Sequence, residues 1–166
     1  MKGIAMETHW IDSELSEAEL RKMVVEEAKT WQFTPSRHRG AVKGKDGGVD
    51  CGSFIFCVFV SCGIIWGKLP ENYSPQWWAH RENHMYIDEI EKYCEEKPDL
   101  PERTPKPGDI ILFQYGRSLG HGAIVIDYPY CIHLHPKAAE VHIDRLDTST
   151  VVAGRDRHVY AIKGWE

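Results

Sequence analysis

The stretch CGSFIFCVFVSCGIIW, Cys51 to Trp66, would be apolar on every face of a helix. Such a helix is stable only when protein surrounds it, so the rest of the chain has to build a core on both sides of it. Ser61 and Gly63 interrupt the run, which is too short to cross a bilayer, so membrane insertion is not expected. With 166 residues, 42% hydrophobic and 27% charged, residues 1–166 suit a single globular domain. A chain of this length buries roughly 70% of its unfolded surface, enough for a core without disulfide or metal staples.

Around that run the signals fall into two halves. Ser16 and Glu19 form a capping box, and Leu20, Val24, Ala28 and Trp31 follow at helical spacing, which predicts a helix from Ser16 to Trp31 that stops before Pro35. Between Thr34 and Asp50, Pro35, Gly40, Gly44, Gly47 and Gly48 alternate with Arg37, Arg39, Lys43 and Lys45, which reads as a long exposed loop. Loops of that length in a compact domain are usually functional. Ser74-Pro75 opens one or two further helices over Trp77 to Cys94, and Pro98, Pro101, Pro105 and Pro107 make a stiff connector. After Gly108 come the short β-like runs 110–115, 123–127, 131–135, 140–143 and 159–163. Helices first and strands second predict an α+β fold, with N-terminal helices packed on a C-terminal antiparallel sheet.

A net charge of −5 offers phosphates no global attraction, so nucleic acid is not an expected partner. The five cysteines are odd in number and contain no C-x-x-C pair, against both a disulfide framework and a Cys-rich zinc site. Glu7, Asp12, Glu14, Glu17 and Glu19 stand where a secretion signal would need a basic and then an apolar stretch. The expectation is synthesis in the cytoplasm without a signal peptide.

Cys51 opens the apolar helix, where the macrodipole favours a thiolate, and a pKa of roughly 3.5–7.5 is expected for such a sulfur. Cys57 and Cys62 on the same helix read as core residues. A cysteine nucleophile needs an imidazole base and a third polar group that fixes the imidazole's tautomer. His121 is flanked by Gly120 and Gly122, directly ahead of the run 123–127, while His133 and His135 alternate on one side of the next run. Periodicity does not choose between them. Three imidazoles could also hold zinc, but no H-E-x-x-H arrangement supplies a general base, and no metal or other cofactor is expected. Beside a nucleophile, the basic loop residues would also attract an anionic substrate.

Four segments together resemble the NlpC family, the papain-like cysteine peptidases of bacterial cell walls. Gly48-Val49-Asp50-Cys51-Gly52-Ser53-Phe54 resembles the nucleophile motif, with the usual Ser-Gly order reversed. Lys106 to Phe113 is similar to the family's Pro-Gly-Asp strand entry, Gly120 to Val125 to its base segment, and Cys131-Ile132-His133 to its third polar position. The spacing of 12 between His121 and His133 matches the family pattern and selects His133 over His135. Trp31 to His38 resembles the W-x-G-T-P-Y-x-H segment of the phage-tail and gene-transfer-agent branch, with Ser36 where that branch has tyrosine.

The resemblance implies a papain-like fold with Cys51, His121 and His133 as catalytic residues, and Asp50, Ser36, His38, Ser53 and Gly120 as substrate-binding ones. It implies cleavage of an amide in peptidoglycan stem peptides, at the γ-D-glutamyl to diamino-acid bond. Phage-tail proteins would then be partners, with carriage in a virion tail or release on lysis. Two alternatives share the scaffold: a tail-assembly or adaptor protein without activity, and an acyltransferase or amidase of another substrate.

Overall fold

A computed structural model describes residues 14–67 and 85–166. The first helix, α1 (Glu17–Lys29), starts at the expected capping box: Ser16 accepts from the Glu19 N–H while the Glu19 carboxylate takes the Ser16 N–H. Leu20, Val24 and Ala28 form its buried stripe. A two-stranded hairpin, β1 (Ala41–Val42) and β2 (Gly48–Val49), follows, and then the apolar helix α2 (Cys51–Ser61). The hairpin lies inside the expected loop. Its glycines are there for close approach: a Cβ on Gly47 would sit 2.0 Å from Val42 O, and one on Gly40 would sit 2.4 Å from Gly48 O. The third helix is α3 (Met85–Tyr93), and the Ser74-Pro75 helix start lies outside the described residues.

The remaining elements build one antiparallel sheet. Its strands are β3 (Cys94–Lys97), β4 (Ile110–Tyr115), β5 (Ser118–Asp127), β6 (Tyr130–His135), β7 (Glu140–Arg145) and β8 (Arg157–Ile162), in the order β3-β8-β4-β5-β6-β7. Side chains alternate between its two faces. Ile110, Leu112, Ile124 and Ile132 face the helices and form the main core with Phe54, Ile55, Phe59 and Trp31. Ile111, Phe113, Ala123, Val125 and Cys131 face the other way, under Leu146, Val151 and Val152 of the segment that follows β7. Cys94 was expected to end a helix, but with Glu95 to Lys97 it forms β3. Its pairing with β8, Cys94 opposite Ile162, overrides that local preference and buries the Cys94 side chain.

Two further features tie the layers together. Asp109, fully buried at the entry to β4, accepts from Arg21 of α1 at 2.9 Å and from Arg103 at 2.7 Å, and Trp165 stacks on the Arg21 guanidinium. Residues 33–37 form a strap that is hydrogen-bonded on both sides. Phe33 N and Ser36 N donate to Val141 O and Ala139 O beside β7, while Arg37 N donates to Val49 O and Val49 N to Pro35 O on β2.

Candidate active site

Asp50 sets the start of α2. Its Oδ1 accepts from the Ser53 N–H at 2.9 Å, and the Ser53 hydroxyl accepts the Asp50 N–H in return at 3.0 Å. This leaves the N–H groups of Cys51 and Gly52 turned toward the Cys51 sulfur, where they lower its pKa. The Cys51 thiol donates to Gly120 O at 3.8 Å, across to β5. Burial nonetheless dominates, reinforced by the neighbouring Asp50 charge, and pushes the thiol up to about 12. The expected lowering is therefore opposed: at this helix N-terminus the desolvation of the partly buried sulfur and the Asp50 charge outweigh the N–H groups and favour the thiol.

His121 lies within β5 rather than ahead of it, because pairing with β4 extends the strand back to Ser118. Its Nε2 is 2.7 Å from Nδ1 of His133, and both rings are buried. His133, and not His135, therefore meets His121; the His135 ring stands 5.5 Å beyond His133. Burial, with the like charge of the neighbouring imidazole, pushes His121 down to about 3. Burial also takes His133 down to about 4, against the opposing pull of Asp144. The resting pair is neutral. Since these two nitrogens face each other, His121, His133 and His135 do not converge on an ion, and no metal-binding cluster exists among the described residues.

Sequence reasoning missed the groups behind and beside this pair. Asp144 Oδ2 lies 3.3 Å from His133 Nε2 and accepts from Ser149 Oγ at 2.5 Å. Tyr115 has its ring 5.3 Å from that of His121, and its hydroxyl donates to Val151 O. The Arg155 guanidinium lies 3.8 Å from the Tyr115 ring centroid. A signal for Asp144 was present: Glu140, His142 and Asp144 alternate, and a four-residue turn after His135 places His133 opposite His142.

The remaining expected site residues separate into two groups. Gly120 is at the site through its carbonyl, and Asp50 turns Oδ2 toward the Arg39 N–H at 2.9 Å and His38 Nδ1 at 3.9 Å. Ser36 and His38 are exposed on the strap and the turn after it. Ser53 is corrected: it is fully buried, and its hydroxyl donates to Gly40 O at 2.5 Å, so it holds Asp50 and the loop together and has no surface for a ligand.

A cysteine opening a buried helix, with two imidazoles in line on an antiparallel sheet, gives the chain the papain-like α+β architecture. A family model described as NlpC/P60 matches residues 33–155, and the chain belongs to that family. No curated protein sequence matches it. The peptidoglycan hydrolase RipB of Mycobacterium tuberculosis is similar over 98% of this chain and 76% of its own, with TM-score 0.56 and 18% identity. An NlpC/P60 family protein of Bacillus cereus matches 83% of this chain with TM-score 0.54 and 20% identity; the likeness covers 39% of that longer protein. RipD of M. tuberculosis, described as a non-catalytic NlpC/p60 domain protein adapted to peptidoglycan binding, matches 88% of this chain and 98% of its own, with TM-score 0.51 and 14% identity. At these identities the likenesses establish the fold.

Proposed function

We propose that this protein is a cysteine peptidase that hydrolyses an amide in peptidoglycan stem peptides, the γ-D-glutamyl to diamino-acid bond. The observation that carries the reading is the 2.7 Å contact between His121 and His133 beside a helix that opens with Cys51. In the reaction, Cys51 sulfur bonds to the carbonyl carbon as its proton passes to His121, and the N–H groups of Cys51 and Gly52 receive the oxyanion. His121 then protonates the leaving amine as the C–N bond breaks. Water, deprotonated by His121, attacks the thioester and restores the thiol.

The resemblance of Trp31 to His38 to the phage-tail branch supports delivery with a tail, tail proteins being the partners. A binding protein without activity is the second reading, favoured by the high pKa of the enclosed thiol and by Ser36 in place of the branch's tyrosine. Incubation of purified protein with muropeptides separates the two. Release of a free amine and its loss in Cys51→Ala supports the peptidase; saturable binding without release, unchanged in Cys51→Ala, supports the second reading and overturns the first.

A further inference from the structure

The hydrogen bonds behind His133 have a single consistent direction. Ser149 Oγ accepts from the N–H groups of Val151 at 3.2 Å and Val152 at 3.3 Å, so both its lone pairs are engaged and its proton points to Asp144 Oδ2, 2.5 Å away. Asp144 Oδ1 accepts the Arg145 N–H at 2.8 Å. Both carboxylate oxygens are thus acceptors. Although burial acts in the opposite sense, the bonds from Ser149, Arg145 and His133 hold Asp144 below the usual carboxylate range. With the acceptor fixed, His133 Nε2 has to carry the proton and donate across the 3.3 Å to Oδ2. A neutral imidazole has one N–H, so His133 Nδ1 is the acceptor in the 2.7 Å contact, and His121 Nε2 is the donor. His121 Nδ1 is then left with its lone pair.

We infer that Asp144, anchored by Ser149, is a positioning residue that sets the tautomers of His133 and His121 and so keeps a basic Nδ1 on His121. The inference rests on the reading of His121 as the base, but it also makes a claim about proton positions that holds whether or not the protein hydrolyses anything. Three donors converge on Asp144, and a carboxylate alone has an acceptor for each. Asparagine has to turn its NH2 toward one of them. Alanine removes the acceptor altogether, and the His121–His133 pair is then free to populate the reverse arrangement, with the proton on His121 Nδ1.

Ring 15N chemical shifts of histidine-labelled protein at neutral pH read this directly, in a Cys51→Ser background that leaves the imidazole pair in place. The unaltered pair is expected to show His121 protonated at Nε2 and bare at Nδ1. In Asp144→Ala, His121 Nδ1 is expected to move toward the protonated range; nearly isosteric Asp144→Asn provides the same reading should alanine unfold the chain. A purely structural Asp144 would lower stability and leave the His121 pattern as it was, and that result in a folded variant overturns the inference. With the Cys51 nucleophile present, Asp144→Ala is expected to lower kcat on the order of 10–100-fold at little changed KM, by analogy with removal of the outer partner of a metal-ligating histidine. Absence of hydrolysis in every variant, together with the tautomer shift, would refute the peptidase reading alone.

Discussion

Replacing Asp109 by asparagine tests how α1 is fastened to the sheet. The aspartate side chain is wholly buried and takes charge-assisted hydrogen bonds from Arg21 and Arg103, together with the Lys106 N–H at 2.8 Å. Asparagine keeps the shape and removes the charge, so Arg103 loses its carboxylate partner and Arg21 loses the buried one of its two. Breaking one partner of a buried pair costs about 3–5 kcal/mol. Arg21 retains Glu17 at 2.6 Å and the carbonyls of Pro107 and Glu166, each at 2.8 Å, which places the expected loss near the lower end, about 3 kcal/mol. For a chain of this size that is roughly 6–12 °C in Tm. Urea unfolding of both proteins, followed by far-UV circular dichroism, gives the difference from the midpoints. A loss below about 1 kcal/mol would refute the argument that this cluster carries a buried, interdependent charge.

Other outcomes follow from the site. With the Cys51 thiol pushed up to about 12, and Cys57 and Cys62 to about 11, native protein should react slowly with iodoacetamide at pH 6 at all three, and labelling should rise only in alkali; rapid selective labelling of Cys51 at pH 6 would contradict the neutral resting pair. His121 and His133 have depressed pKa values in the fold, about 3 and about 4 against about 6.5 unfolded, so the unfolded chain binds more protons between those values and stability falls as pH drops below 6.5. Among Cys51, Tyr115, Arg155, His135, His142 and Asp144 around them, only Asp144 offsets this effect, and each imidazole should account for roughly 2 kcal/mol of the stability lost from pH 7 to 5. His133→Gln should lessen that loss in urea titrations at the two pH values; an unchanged loss would be evidence against it. Ser36→Tyr should shift hydrolysis toward a free tripeptide and away from the same stem on intact glycan, because Ser36 is exposed and bridged to Val49, two residues ahead of Cys51, and a ring there would narrow a pocket for the bound stem. The same ratio of rates for both proteins would show that Ser36 does not border that pocket.

Much of this architecture was legible because local signals and tertiary packing agree. Ser16 and Glu19 start α1 where the capping box says, and the apolar α2 buries Ser53 to Phe56, Val58 and Phe59, while Val60 and Ser61 at its end are exposed. The strand-entry turn at Gly108 has φ +83, a backbone conformation that suits glycine. Where the reading failed, long-range pairing decided the outcome. Cys94, read as the end of a helix, is instead the first residue of β3, because β8, more than sixty residues later, pairs with it through Ile162. At the site, the family's pattern of spacing pointed to His133, yet Ser53 resembled a ligand-binding residue only as long as its partner Gly40 was unseen. The Cys51 pKa was misjudged for a related reason: the helix dipole is visible in sequence, but the enclosure that outweighs it is not. Trp31, which opens the segment that resembles the phage-tail branch, is part of the core, with its Nε1 donating to Glu27.

The strap at residues 33–37 gives the molecule a seam as well as a link. Alternate backbone groups face β7 and β2, so one five-residue segment shields an otherwise bare sheet edge and fastens the loop that leads into Cys51. Those two neighbours should open together. Amide hydrogens of Val141 and Val49, on different elements and each donating to the strap, are expected to exchange with solvent at a common rate set by its detachment, while amides deep in β4 wait for global unfolding. A ligand bridging Ser36 and Asp50 would slow both amides at once, and a loop insertion between Phe33 and Arg37 would release both. Crevice and sheet edge thus share one latch, and detachment of that latch would dismantle the nucleophile's surroundings before the core yields.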